Sequence, residues 1–202
     1  MWEKAGVKQV RAVRTRRLIV QAAADEFDRH GYAGTPLICV TKAAGISMGA
    51  LTFHFPTKPD LADAVQASGT GLTREVVARV GGLSVPPVSR ARALVLSIAR
   101  LLSECTAVRA AARLSRERST AGVWADAWLA CLTELLRSAH EEGRLRSQVA
   151  PEAFAESVQF LITGIEEYTR CAGPGADADP AAVRRVARAW DLLLYGASRP
   201  AP

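Results

Sequence analysis

The sequence predicts an all-α protein of about nine helices, a three-helix N-terminal unit followed by a larger helical domain. Three observations carry this. Apolar residues recur at helical spacing through most of the 202 residues. Ala, Leu, Arg and Val dominate, while Gly and Pro fall in a few clusters, as in helices with short breaks. Helix-start signals recur along the chain, at Thr35-Pro36, Ser47, Thr57-Lys58-Pro59-Asp60 and before Pro151 and Pro180.

Residues 1–12 are expected to be a flexible basic arm. Residues 1–20 hold six basic side chains (Lys4, Lys8, Arg11, Arg14, Arg16, Arg17) against one acid, Glu3. Residues 13–57 form the first unit. A helix from about Val13 to His30 presents Leu18, Ile19, Ala22, Ala23 and Phe27 on one side, and Gly31 ends it. Thr35 can cap a short helix opening at Pro36, and Ala44-Gly45 stops it. Ser47 caps the next helix, 48–54. Helix, Gly-containing turn, helix is the helix-turn-helix pattern, whose second helix enters the DNA major groove. A basic arm beside such a motif suits phosphate contacts.

The second domain spans 58–197, with a short tail at 198–202. Its first helix carries Leu61, Val65, Leu72, Val76 and Val80. Gly81-Gly82-Leu83-Ser84-Val85-Pro86-Pro87 is the clearest break. Helices follow at about 89–104, 106–115, 121–142, 151–171 and 180–196, the third of them marked by Val123, Trp124, Trp128, Leu132 and Leu136. A Gly/Pro/Asp-rich loop, 172–179, precedes the last.

The formal charge is +6, and 49% of residues are hydrophobic, ordinary for a globular protein. Cys39, Cys105, Cys131 and Cys171 lack the spacing of a metal or redox motif and read as reduced thiols. No signal peptide and no membrane-length apolar run is present, so a cytoplasmic location without membrane contact is expected. No cofactor and no metal is expected.

Gly45-Ile46-Ser47-Met48-Gly49 also matches the G-x-S-x-G nucleophile elbow, which makes a serine esterase a competing reading. That motif needs a strand before the Ser and a sheet around it. No segment besides Leu37-Ile38-Cys39-Val40 could supply a strand, and His140 and Asp126 would have to complete the triad from a distant helix. The cap explains Ser47 better, and the protein is read as no enzyme.

Residues 14–66 resemble the DNA-binding domain of the TetR family of bacterial regulators. The matching residues are Arg17, Ala22-Ala23, Phe27, Gly31-Tyr32, Thr35, Ala43-Ala44-Gly45-Ile46-Ser47, Gly49-Ala50-Leu51, Phe53-His54-Phe55, Lys58, Leu61 and Ala64. The wording is similar to the γ-butyrolactone receptor-like branch, as is Trp128 followed by Leu132, Leu135-Leu136, Ala139, Gly143 and Leu145. The resemblance implies a homodimeric repressor on a pseudo-palindromic double-stranded DNA operator, released by a small-molecule effector of γ-butyrolactone or butenolide type. A regulator of the same fold answering another ligand, or none, is the alternative.

Carried over residue by residue, Ser47, Met48, Gly49 and Ala50 lie where the recognition helix meets base edges, with Thr52, Phe53 and His54 further along. His54 and Lys58 would hold phosphates, Thr35 would offer its hydroxyl or N–H to another, and Lys42 could add a basic contact. Relatives often have a basic residue where this chain has Met48, and Tyr where it has Thr52. Met offers apolar contact only, for instance to a thymine methyl. Phe55 is assigned to the core. Trp128 would line the effector pocket, with Trp124, Gln159, Thr163 and Tyr168 as further candidates, while Glu166 and Glu167 are expected in solvent. The last two helices would form the dimer surface, with Phe160, Trp190, Leu193 and Tyr195 as candidates.

Overall fold

The computed structural model of the chain describes residues 2–118, 124–171 and 180–197. Among them are nine helices and no strand: α1 (Trp2–His30), α2 (Leu37–Ala44), α3 (Met48–His54), α4 (Lys58–Gly81), α5 (Pro87–Glu104), α6 (Thr106–Glu117), α7 (Asp126–Glu141), α8 (Pro151–Cys171) and α9 (Pro180–Ala197). Val123, the Cys171 side chain, the 172–179 loop and the 198–202 tail lie outside the described residues.

Local chemistry sets the breaks. Gly31 ends α1 at φ 73°, and Gly45 ends α2 at φ 65°, both left-handed conformations that suit Gly. The Gly45 and Ile46 N–H groups return to the Lys42 and Thr41 carbonyls, closing the helix end. Ser47 caps α3, its Oγ accepting from the Ala50 N–H at 3.1 Å. Thr57 and Asp60 form a full capping box on α4: Thr57 Oγ1 accepts from the Asp60 N–H and Asp60 Oδ2 from the Thr57 N–H.

Two expectations need correction here. The basic arm is not a separate element, because α1 runs unbroken from Trp2. Nothing in residues 2–12 stops a helix growing backward from the packed part, although Val10 and Val13 remain exposed. Thr35 does not cap α2; Pro36 occupies the cap position. Thr35 is fully buried and instead donates to the Gly31 carbonyl at 2.7 Å and the Glu26 carbonyl at 3.1 Å, tying the turn back to α1.

Buried side chains form two clusters. One holds Ile19, Ala23, Phe27, Val40, Leu51 and Phe55 together with Leu61 and Val65 of α4 and Ala107, Ala110 and Leu114 of α6. The boundary expected at 57/58 therefore cuts through a continuous core: α4 and α6 belong partly to the N-terminal unit. The second cluster lies between α4, α5, α7, α8 and α9 around Leu94, Ile98, Trp128, Leu132, Val158 and Ile162. Trp190, expected at a dimer surface, is fully buried in it and stacks on Phe154 at 5.4 Å. Its indole faces α8 because Ala182, Val186 and Ala197 share its side of α9.

α4 and α6 approach backbone to backbone at Gly69. A Cβ there would lie 2.2 Å from the Ala107 carbonyl oxygen and 2.6 Å from the Ala111 Cβ. Replacing a mid-helix Gly by Ala gains about 1 kcal/mol of helix propensity. The clash outweighs this, so Gly69→Ala should lower stability by roughly 1–3 kcal/mol. Gly71, two residues further along α4 with open space around it, is the control: Gly71→Ala should stabilise. Chemical denaturation of both variants checks the pair.

Candidate DNA interface and effector site

The α2 and α3 axes meet at 103°, the helix-turn-helix geometry. α3 packs through Leu51, fully buried, and Phe55 just beyond its end is buried as expected. Arg16 of α1 lies over the Phe55 ring at 4.8 Å, so the basic helix is stacked against the base of α3. The opposite side of α3 is open. Ser47, Met48, Gly49, Thr52 and Phe53 are exposed, Ala50 and His54 half-buried. Phe53 stands 80% exposed, edge-on to His54 at 5.2 Å. That position is unexplained by core packing and fits an outward-facing contact. Lys42 is exposed on the last turn of α2.

Lys58 opens α4 beside this face. Its ammonium sits 4.7 Å over the Tyr32 ring, and burial lowers its pKa. Arg118 approaches the same ring at 5.2 Å. Of the ten residues proposed for DNA contact, nine reach the surface around α3. The tenth, Thr35, cannot offer its hydroxyl to a phosphate: it is buried and already donating, and its N–H points at the Tyr32 carbonyl.

Behind this surface, α6 grips α1 along its length, from Arg109 to Glu117, through a polar ridge that periodicity alone did not single out. Arg109 pairs with Asp28 at 2.8 Å, and Arg113 donates to the Asp28 carbonyl at 2.7 Å. Glu117 accepts the Tyr32 N–H at 2.5 Å and pairs with Arg113 at 2.6 Å. Gly31 is needed for this as well, since a Cβ would meet the Glu117 carboxylate. On the far side, Arg116 pairs with Glu166 of α8. Glu166 is therefore not in solvent as expected; it is buried because Arg116 covers it, and only Glu167 stays exposed.

In the C-terminal domain Trp128 is fully buried and meets Trp124 edge-on at 6.0 Å. The Trp124 N–H donates to Thr73 Oγ1 at 3.0 Å, and Thr73 in turn donates to the Gly69 carbonyl of α4. Among the described residues the Trp128 N–H has no hydrogen-bond partner, and neither has that of Trp190. The other three effector candidates are not at this place. Thr163 and Tyr168 are exposed on the outer side of α8, opposite Val158, Ile162 and Ile165, which take the inward positions of the same helix. The Thr163 hydroxyl bonds its own helix at the Gln159 carbonyl, and Tyr168 packs under Arg185 at 4.5 Å. Gln159 lines a separate open groove of about 510 Å³ between α7 and α8, with Leu129, Thr133 and Glu156.

Ser47 has no elbow geometry: it follows a helix and a turn, and its side chain is spent on the cap. No single described helix is long and apolar enough to cross a membrane.

Residues 19–65 match the model of bacterial regulatory proteins of the tetR family. Over 197 residues the chain is 30% identical to the A-factor receptor protein of Streptomyces griseus, spanning 96% of this chain and 67% of that protein. The chain belongs to the TetR family. Its fold matches CprB from Streptomyces coelicolor, a TetR family protein, at 29% identity over 94% of this chain and 91% of that one, TM-score 0.78. CprB in complex with its biological operator sequence matches at 28% identity, covering 94% and 90%, TM-score 0.74. A γ-butyrolactone receptor, an ArpA-like protein, matches at 27% identity, covering 93% and 99%, TM-score 0.68. As a TetR-family regulator the chain is a ligand-responsive DNA-binding repressor, and no enzyme.

Two outcomes follow for this regulator. Lys58→Ala should weaken operator binding uniformly across operator sequences and lower the salt slope of log K by about one; titrations at several salt concentrations check it. Burial pushes the Glu117 carboxyl up, but the Arg113 guanidinium and the Tyr32 N–H outweigh it, and its pKa lies below the usual carboxylate range. A depressed acid stabilises the fold at neutral pH and loses that contribution as pH falls through the folded pKa. Glu117→Gln should thus lower the thermal midpoint at neutral pH and flatten its decline on acidification, read by circular dichroism.

Proposed function

We propose that this regulator acts in the cytoplasm as a homodimer, occupies a pseudo-palindromic operator through two copies of α3, and leaves it when a γ-butyrolactone- or butenolide-like molecule packs against Trp128. The observation that carries the effector assignment is the Trp128 indole: fully buried beside Trp124, with an N–H that has no acceptor among the described residues. Leaving such a donor unpaired costs about 1–3 kcal/mol, and a ligand carbonyl recovers it. An indole face also suits a small flat ring. The relatives support the ligand class, one being an A-factor receptor and another a γ-butyrolactone receptor.

Release follows from the connections of that site. Trp128 touches Trp124, which is hydrogen-bonded to Thr73 on α4, and α4 begins at Lys58 immediately behind α3. A ligand that moves the indole pair displaces α4, and with it the separation of the two recognition helices, which must lie about 34 Å or somewhat more apart to read successive major grooves. Operator affinity falls by the difference in ligand binding between the two arrangements. Phe160 on α8 and Tyr195 on α9 are 69% and 81% exposed, an apolar surface for the second copy, with Leu193 half-buried beside it.

Trp128→Phe keeps an aromatic ring, smaller than the indole, and removes the N–H. It should bind operator as the parent does but need at least tenfold more γ-butyrolactone for release, in a gel-shift assay titrated with the ligand. Release at the parent concentration would remove Trp128 from the site.

A further inference from the structure

We infer that α3 reads its operator through thymine methyl groups and makes no bidentate side-chain hydrogen-bond pair with a base. The inference rests on the reading of α3 as the helix that enters the major groove, and it names the chemistry that helix recognises.

The argument is one of inventory. The seven residues of α3 are Met48, Gly49, Ala50, Leu51, Thr52, Phe53 and His54. At 100° per residue, Met48, Thr52, Gly49 and Phe53 fall on one contiguous face, and those four are the exposed ones. Leu51 is fully buried, while Ala50 and His54 lie half-buried at the edges. The face therefore presents a thioether, a bare Cα, a threonine and a phenyl ring.

None of the groups that form bidentate pairs with guanine or adenine (Arg, Lys, Asn, Gln) is on it. Threonine is the one hydroxyl, and its proton is committed inward: Thr52 Oγ1 lies 3.1 Å from the Met48 carbonyl and 3.2 Å from the Gly49 carbonyl. Its methyl is left for the outer surface. Ser47, at the edge, accepts the Ala50 N–H, which leaves its O–H as a lone donor and no bidentate pair. Phe53 adds a ring that stands 80% exposed, edge-on to His54.

In the major groove, the apolar group that distinguishes one base pair from another is the thymine C5-methyl. An apolar face set against a wholly polar edge would leave base donors and acceptors dry and unpaired, which is unfavourable. Against methyl groups it buries apolar surface on both sides. Guanine contacts, where the operator has them, fall to Lys42 on the neighbouring helix, and phosphate contacts to Lys58 and the α1 arginines.

The test uses the full-length dimer and an operator obtained by selection from random duplex. Each thymine of one half-site is replaced by deoxyuridine, which removes only the methyl. Each guanine is replaced by 7-deazaguanine, which removes only the N7 acceptor. Deoxyuridine should weaken binding about three- to fivefold at two or more positions per half-site, as expected for one lost methyl contact each. That loss should disappear at one of those positions in Phe53→Ala, whose side chain supports no core. Thr52→Val, which keeps the methyl and drops the hydroxyl, should bind and discriminate as the parent does.

Tight, sequence-selective binding that is indifferent to every deoxyuridine would overturn the inference and leave the DNA-binding reading intact. So would a Thr52→Val variant that loses discrimination. Failure to select any duplex at all would overturn both.

Discussion

The close approach of α4 and α6 at Gly69 is the contact on which the rest of this molecule depends. Two helices touch there through backbone and Ala side chains, with no room for a methyl group. Packed interiors shift between discrete arrangements and do not stretch. Because α4 leads directly out of the helix-turn-helix and α6 contributes Ala107, Ala110 and Leu114 to the N-terminal core, the DNA-reading unit has no core of its own. It is a face of the whole protein, and a displacement of either helix reaches α3.

Charge fixes the orientation that this contact allows. Arg109, Arg113 and Glu117, on one side of α6, bind the end of α1 and the Tyr32 turn, while Arg116 on another side holds the buried Glu166 of α8. Pairs of this kind contribute modestly to net stability, because desolvation offsets much of the attraction. Their geometry is demanding, however, and their effect is on position. A short helix carrying both sets makes the ligand domain and the DNA domain answer to the same few side chains.

The two functional ends contrast in their chemistry. α3 carries almost no polar side chain outward, and Lys42 and Lys58 stand beside it on the neighbouring helices. In the proposed reading charge gives affinity and apolar shape gives sequence. At the other end the Trp128 N–H is unpaired among the described residues, as is that of Trp190 in the same apolar cluster. One donor in an apolar site orients a small ligand and penalises one that lacks an acceptor.

Much of this was legible in the residues, and the reason is distance along the chain. The Ser47 cap, the Thr57–Asp60 box and the glycine stops at Gly31 and Gly45 are each satisfied within a few residues, so a local pattern suffices to find them. The outward face of α3 and the burial of Trp128 follow from helical periodicity in the same way. What periodicity could not supply is which face of each helix its distant neighbours cover. Thr35 turned inward because α1 offered carbonyls, and Glu166 was buried by an arginine fifty positions away. Thr163 and Tyr168 pointed outward because α8 gave its inner side to Val158, Ile162 and Ile165, and Trp190 went to the core with Phe154. Side-chain roles that end within one turn of helix are written in the local sequence. Those that depend on a partner helix exist only once the helices have packed.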